Sequence, residues 1–144
     1  MSWLRRRIAE VQVAFMLLTR LPAGRLEGVA PELSAAKWAF PLAGLLVGGS
    51  LAGVYIAMNS LGLPAELAAI LALGVSVMMT GGLHEDGLAD CADGFGGGQT
   101  KDQKLAIMKD SQVGSYGVLA LVLVIAARMM ALATVPATAQ SLIL

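Results

Sequence analysis

Four long stretches of the chain carry no charge: residues 38–65, 67–84, 111–127 and 129–144. A bilayer core about 30 Å thick is crossed by about 20 mainly apolar residues in a helix. The run from Trp38 to Leu61 is long enough, with Pro41 in its first turn, where a missing N–H is harmless. Leu63-Pro64 then predicts a tight turn, followed by a second helix from Ala65 to Gly81 or Gly82. That helix is short for a span, with Glu66 at the interface. A third helix is predicted from Val113 to about Thr134, ended by Pro136, and the pattern beyond is too short to assign. Arg128 falls inside it and must snorkel or face protein, because a charge in hydrocarbon is expensive. Before all of these, Ile8, Val11, Phe15 and Leu18 recur at helical spacing behind Arg5–Arg7. They predict an amphipathic helix lying in the interface. A signal peptide fits less well, since Gln12 interrupts a short apolar stretch and no clean small-x-small site follows. Gly44-x-x-x-Gly48 and Gly49-x-x-x-Gly53 in the first span predict close helix packing. The expected fold class is therefore all-α: a polytopic helical membrane protein with about three transmembrane helices and an N-terminal interfacial helix.

Composition agrees with this pattern. Of 144 residues, 57% are hydrophobic and only 14% charged, against about 25% charged in a typical soluble domain. The apolar excess excludes disorder, and a single cysteine, Cys91, excludes a disulfide scaffold. A pI near 6.6 excludes nucleic-acid binding by net charge.

The zero net charge is a cancellation between two clusters. Residues 1–37 hold six bases and three acids, whereas residues 85–110 hold six acids and three lysines. The basic region should stay on the cytoplasmic side. Two crossings then bring the acidic segment, residues 83–110, back to that side. The chain reads as a single membrane domain over 1–144, with a basic interfacial region at 1–37.

The acidic segment runs GGLHEDGLADCADGFGGGQTKDQKLAIMKDSQVGSYG from Gly81 to Gly117. Asp86, Asp90 and Asp93 stand at i, i+4 and i+7, within about 60° of one another on a helix. Like charges at that spacing repel, and a divalent cation is the simplest compensation. An all-oxygen set favours Mg²⁺, Mn²⁺ or Ca²⁺ over zinc, and the spacing does not match an EF-hand. Gly94, Gly96, Gly97 and Gly98 form either a backbone cradle for phosphate or a flexible turn. Lys101, Lys104 and Lys109 either pair with phosphate or form a solvated face. His84 is a structural residue, a general base or a second-sphere donor. Cys91 is expected to pack as a small residue. Asp110-Ser111 can cap the third helix, and Asp110 can instead join the metal set. Carboxylates, a glycine-rich stretch and lysines at a membrane surface describe phosphoryl transfer with an amphiphilic substrate or product. A cation-transport subunit is the competing class, but its acids should lie in mid-span rather than at the end of a helix.

GGLHEDGLADCADGFGGG and IMKDSQVGSYGVLAL, with Thr19-Arg20-Leu21-Pro22 and Phe40-Pro41-Leu42-Ala43-Gly44 upstream, resemble the cobalamin synthase family, adenosylcobinamide-GDP ribazoletransferase. The resemblance implies a Mg²⁺-dependent enzyme of the bacterial inner membrane, its active site facing the cytoplasm. Its substrates would be adenosylcobinamide-GDP and α-ribazole or its 5′-phosphate, with GMP released. It further implies that Glu85, Asp86, Asp90 and Asp93 hold the metal and diphosphate. Asp110 would join them or act as base alongside His84. Lys109 and Ser111 would contact phosphate, beside the cradle that the glycine run itself suggests at Gly94, Gly96 and Gly97. Asp90-x-x-Asp93-Gly94 is also similar to the opening of the CDP-alcohol phosphotransferase motif, but the Ala-Arg pair that should follow is absent. Family members are longer, so the 144 residues are expected to correspond to an N-terminal half that is not active by itself, its partners in the bilayer being a complementing C-terminal half or further copies of the chain.

Overall fold

The computed structural model describes residues 3–135. Seven α-helices follow one another, and no strand occurs among these residues. They are α1 (Trp3–Leu18), α2 (Leu33–Ala36), α3 (Phe40–Ser60), α4 (Ala65–Thr80), α5 (Leu83–Gly97), α6 (Lys101–Ile107) and α7 (Ser115–Ala133). A single 3-10 turn, Lys37–Ala39, joins α2 to α3, so Leu33–Ser60 forms one apolar helical stretch. Two helices are long and apolar enough to cross a membrane, and a third crossing exists if α4 and α5 count as one broken span bent by 89°. The expected boundaries hold to within a few residues. The proposed stop at Pro136 lies outside the described residues.

The α3–α4 hairpin closes where Leu63-Pro64 predicted it. Gly62 adopts φ 84°, its N–H donates to the Asn59 carbonyl, and Pro64 is the N-cap of α4. Helix α4 is the centre of the bundle and packs on both α3 and α7. The contact is made by small residues: Ala68, Ala69 and Ala72 are fully buried against Tyr55, with Leu51, Val54, Met58, Met129 and Leu132 around them. Three alanines at this spacing let the helix backbones approach, which is the packing strategy available where lipid removes the hydrophobic drive between helices.

The glycine stripes of α3 do something else. A Cβ at Gly44, Gly48, Gly49 or Gly53 would meet nothing within 4 Å among the described residues, so the expected close packing is not made there. Gly44 and Gly48 lie seven residues before Leu51 and Tyr55, on the same face. Toward that end the helices separate into a groove of ≈ 700 Å³ bordered by Gly44, Gly48, Ser76, Thr80, Glu85 and Arg128.

Helix α1 also differs in its buried face. Ala9, Glu10 and Ala14 are buried, Val11, Phe15 and Leu18 are half-buried, and Ile8 is exposed. The face is turned by Glu10, which is 1% exposed and accepts hydrogen bonds from Arg6, Arg7 and the Trp38 indole. Arg7 lies 5.8 Å from the Trp3 ring and 5.5 Å from the Trp38 ring. A polar clamp, rather than an apolar stripe, docks α1 on the start of the first span.

Candidate active site at the α4–α5 bend

Two consecutive glycines make the bend. Gly81 (φ 69°) and Gly82 (φ 74°) are both left-handed, a conformation open to glycine without a Cβ penalty. Gly81 closes α4 as its C-cap, and Gly82 opens α5 as its N-cap. The chain then turns sharply from an apolar helix into the acidic one.

Helix α5 places the acids on one face as their spacing predicted, but their partners separate them. Asp93 is 8% exposed. Its two oxygens accept the backbone N–H groups of Gly114 (2.7 Å) and Gly117 (2.8 Å), the N-cap and third residue of α7. It therefore caps α7 from a neighbouring helix and faces the positive end of that helix dipole. A Cβ at Gly114 or Gly117 would collide with this carboxylate, which explains both glycines. Glu85 pairs with Arg128 at 2.9 Å, and its Oε2 is buried with no hydrogen-bond partner. The costly arginine of α7 thus faces protein, as required. Asp86 is exposed and Asp90 half-exposed, and neither side chain makes a hydrogen bond or ion pair among the described residues.

The glycine run is not a loop. Gly94, Gly96 and Gly97 lie inside α5, where backbone N–H groups are spent on the helix ladder, and only Gly98 is outside, as C-cap. None has a positive φ. The phosphate-cradle expectation for these three residues is therefore corrected: they are sites of close approach. Added Cβ atoms would strike Met108 at Gly94 and the Tyr116 ring at Gly96, and would crowd Ile107 at Gly97. A capping box between Thr100 and Gln103 starts α6 at once, so the chain folds back onto α5.

Of the lysines, Lys104 lies 4.9 Å from the Phe95 ring, while Lys101 and Lys109 are exposed. Asp110 and Ser111 are exposed in the α6–α7 connection. Asp110 accepts from the Gln112 N–H at 3.2 Å, closing its own turn, so it does not cap α7. Asp93 has that role instead. Cys91 is exposed rather than packed.

Two concavities flank the bend. The groove described above takes in His84, Glu85 and Arg128 on one side. On the other is a cavity of ≈ 670 Å³ lined by Thr19, Arg20, Gly81, Gly82, Glu85 and Asp86, among others. Sequence reading did not assign Arg20 a role; the sequence signal was its place in a Thr-Arg-Leu-Pro string outside the acidic segment. No group of three or more His, Cys, Asp or Glu side chains converges as a metal site among the described residues. The donors present still suit Mg²⁺, which uses one or two carboxylates and completes its shell with water and substrate phosphate. The side chains of Asp86 and Asp90 are unengaged, and on the same helix the Oε2 of Glu85 is buried without a partner.

A family model described as Cobalamin-5-phosphate synthase matches residues 10–144. Among curated proteins, the chain is 49% identical over 133 residues to an adenosylcobinamide-GDP ribazoletransferase of Bradyrhizobium diazoefficiens, covering 92% of this chain and 51% of that protein. It is 48% identical over 121 residues to the protein of that name in Azorhizobium caulinodans, covering 81% and 46%. For the Xanthobacter autotrophicus protein the identity is 47% over 139 residues, covering 92% and 52%. The chain thus spans about half the length of these relatives. No solved structure matches it.

Proposed function

Since the chain belongs to the cobalamin-5-phosphate synthase family, we propose that the α4–α5 bend is part of the active site of an adenosylcobinamide-GDP ribazoletransferase. A ribose hydroxyl of α-ribazole, or of its 5′-phosphate, attacks the phosphorus attached to cobinamide. The new P–O bond forms as the diphosphate P–O bond to GMP breaks, and the hydroxyl proton passes to a base. The observation that supports this most is the set of unengaged acceptors at the start of α5: Asp86, Asp90 and the buried Oε2 of Glu85.

Asp86 and Asp90, with Glu85, would hold Mg²⁺, which when bound neutralises charge on the diphosphate and on the departing GMP. Asp93 serves this arrangement by fixing α7 against α5. Of the two candidate bases, His84 is favoured, because it borders the groove beside Glu85 and has no hydrogen-bond partner among the described residues. Asp110 already accepts a bond within its own turn. Lys109 and Ser111, both exposed in the α6–α7 connection, are placed to meet phosphate only if that connection closes over the bend. The site belongs on the cytoplasmic face of a bacterial inner membrane, with the basic α1 region lying on the same face.

The test is GMP release from adenosylcobinamide-GDP in membranes carrying the full family length. Release should require both Mg²⁺ and α-ribazole, and Asp90→Asn should reduce it by about a hundredfold or more, the scale of losing one charge-stabilising group. Undiminished turnover in that variant, or turnover without a divalent cation, would refute the assignment. A CDP-alcohol phosphotransferase is set aside: in the same membranes, CDP-linked lipid precursors should give no CMP.

A further inference from the structure

The residue that the acid motif leaves out is Arg20. It follows α1 outside any helix, yet its backbone is pinned: its N–H donates to the Met79 carbonyl at 2.7 Å. The preceding Thr19 is buried, donates from Oγ1 to the Phe15 carbonyl at 2.8 Å and accepts the Leu21 N–H at 3.3 Å. These bonds carry the guanidinium across the α4–α5 bend, where it lies on Gly81 so closely that a Cβ there would collide with the Arg20 side chain.

In that position Arg20 shares a cavity of ≈ 670 Å³ with Asp86 and Glu85. Opposite charges in one cavity ordinarily close on each other, but Arg20 forms no ion pair with either acid. Arg128 has already taken Glu85, and Asp86 stays open. An unpaired guanidinium and an unpaired carboxylate held apart across one cavity suit a ligand carrying both signs: an anion for the arginine and its counter-cation for the aspartate. The N-terminus of α5 opens into the same space, and its N-cap, Gly82, offers no side chain to occupy the first-turn N–H groups.

We propose that Arg20 is a substrate-binding residue that takes the diphosphate of a nucleotide-linked substrate while Asp86 holds the cation bound to that diphosphate. The assignment rests on the phosphoryl-transfer reading given above. A planar, always-charged fork is suited to two oxygens of one phosphoryl group, and a lysine replaces its charge without its geometry.

The probe is inorganic pyrophosphate with Mg²⁺, titrated calorimetrically into the chain in phosphatidylcholine nanodiscs. Arg20→Gln should weaken binding about tenfold or more, and Arg20→Lys should fall between it and the wild type. Arg25→Gln, at a residue that lines a separate cavity with Arg5 and Gln12, should bind as the wild type does. Retained helical circular dichroism certifies each variant. Should Arg20→Gln fail to fold, Arg20→Lys decides, and wild-type affinity in that variant overturns the proposal. No pyrophosphate binding by the wild type would defeat both the phosphoryl-transfer reading and this assignment. Wild-type binding unchanged in Arg20→Gln would defeat the assignment alone. A loss confined to binding of phosphatidylserine vesicles, with pyrophosphate unaffected, would give the arginine to lipid headgroups and likewise overturn it.

Discussion

Asp93 shows how one side chain can be read correctly for position and differently for partners. Its spacing from Asp86 and Asp90 put it on the acidic face, but the two amides it accepts come from residues 21 and 24 positions downstream. Asp93→Ala should leave the buried Gly117 N–H and the half-buried Gly114 N–H without an acceptor, at a cost of about 1–3 kcal/mol for the buried group and less for the other. Denaturant unfolding in detergent measures this, and a variant as stable as the wild type would contradict the capping role. Glu10 makes a second residue-level case. The Trp38 hydrogen bond, followed by those from Arg7 and Arg6, holds its carboxyl below the ordinary 4.5 despite the opposing effect of burial. The ionised form is thus favoured in the folded state. Its stabilisation is complete above 4.5 and is lost as pH falls through the lowered folded value. Fluorescence of Trp3 and Trp38, the two tryptophans, should report release of α1 in that acid range, and Glu10→Gln should abolish the transition.

At the scale of elements, the bend depends on Gly81 more than on any acid. A substitution there meets two obstacles, the left-handed backbone and the Arg20 side chain above it. Gly81→Ala should destabilise by about 1 kcal/mol or more from backbone conformation alone. Gly82→Ala carries the same backbone penalty with nothing within 4 Å of the new methyl. Comparing the two in pyrophosphate binding separates strain from displacement of Arg20, and only Gly81→Ala should weaken binding beyond what its stability loss explains. The helices themselves were legible from hydrophobic runs and turn residues. The glycine stretch was not, because four glycines in five residues carry the same local signal whether they form a loop or a helix end pressed against neighbours. Tyr116, Met108 and Ile107, distant in sequence from the run, decide the matter.

For the molecule as a whole, the Glu85–Arg128 pair ties the start of α5 to the far part of α7 across 43 residues. Removing one partner leaves the other's charge uncompensated, whereas removing both does not. Arg128→Met should therefore lower thermal stability more than the Glu85→Gln/Arg128→Met double variant; equal losses would show that the pair is not coupled. Cys91, the only thiol and exposed on α5, tests topology directly. A membrane-impermeant maleimide should label it in inverted vesicles and not in intact cells, and labelling from outside would reverse the proposed orientation.

Uncharged runs about twenty residues long, the proline at 64, the glycines at 81 and 82 and the segregation of charge were enough, in sequence alone, to determine a helical membrane protein and the helix that carries its acids. These features are local: helix length, periodicity and turn chemistry act within a few residues of one another. Which partner each acid meets was decided only by the tertiary structure. Asp93 was drawn to the amides of α7, Glu85 to Arg128, and Asp86 was left facing Arg20 across a cavity. A carboxylate's role depends on which distant donor reaches it first, and that is a property of packing, to which sequence spacing contributes only the face.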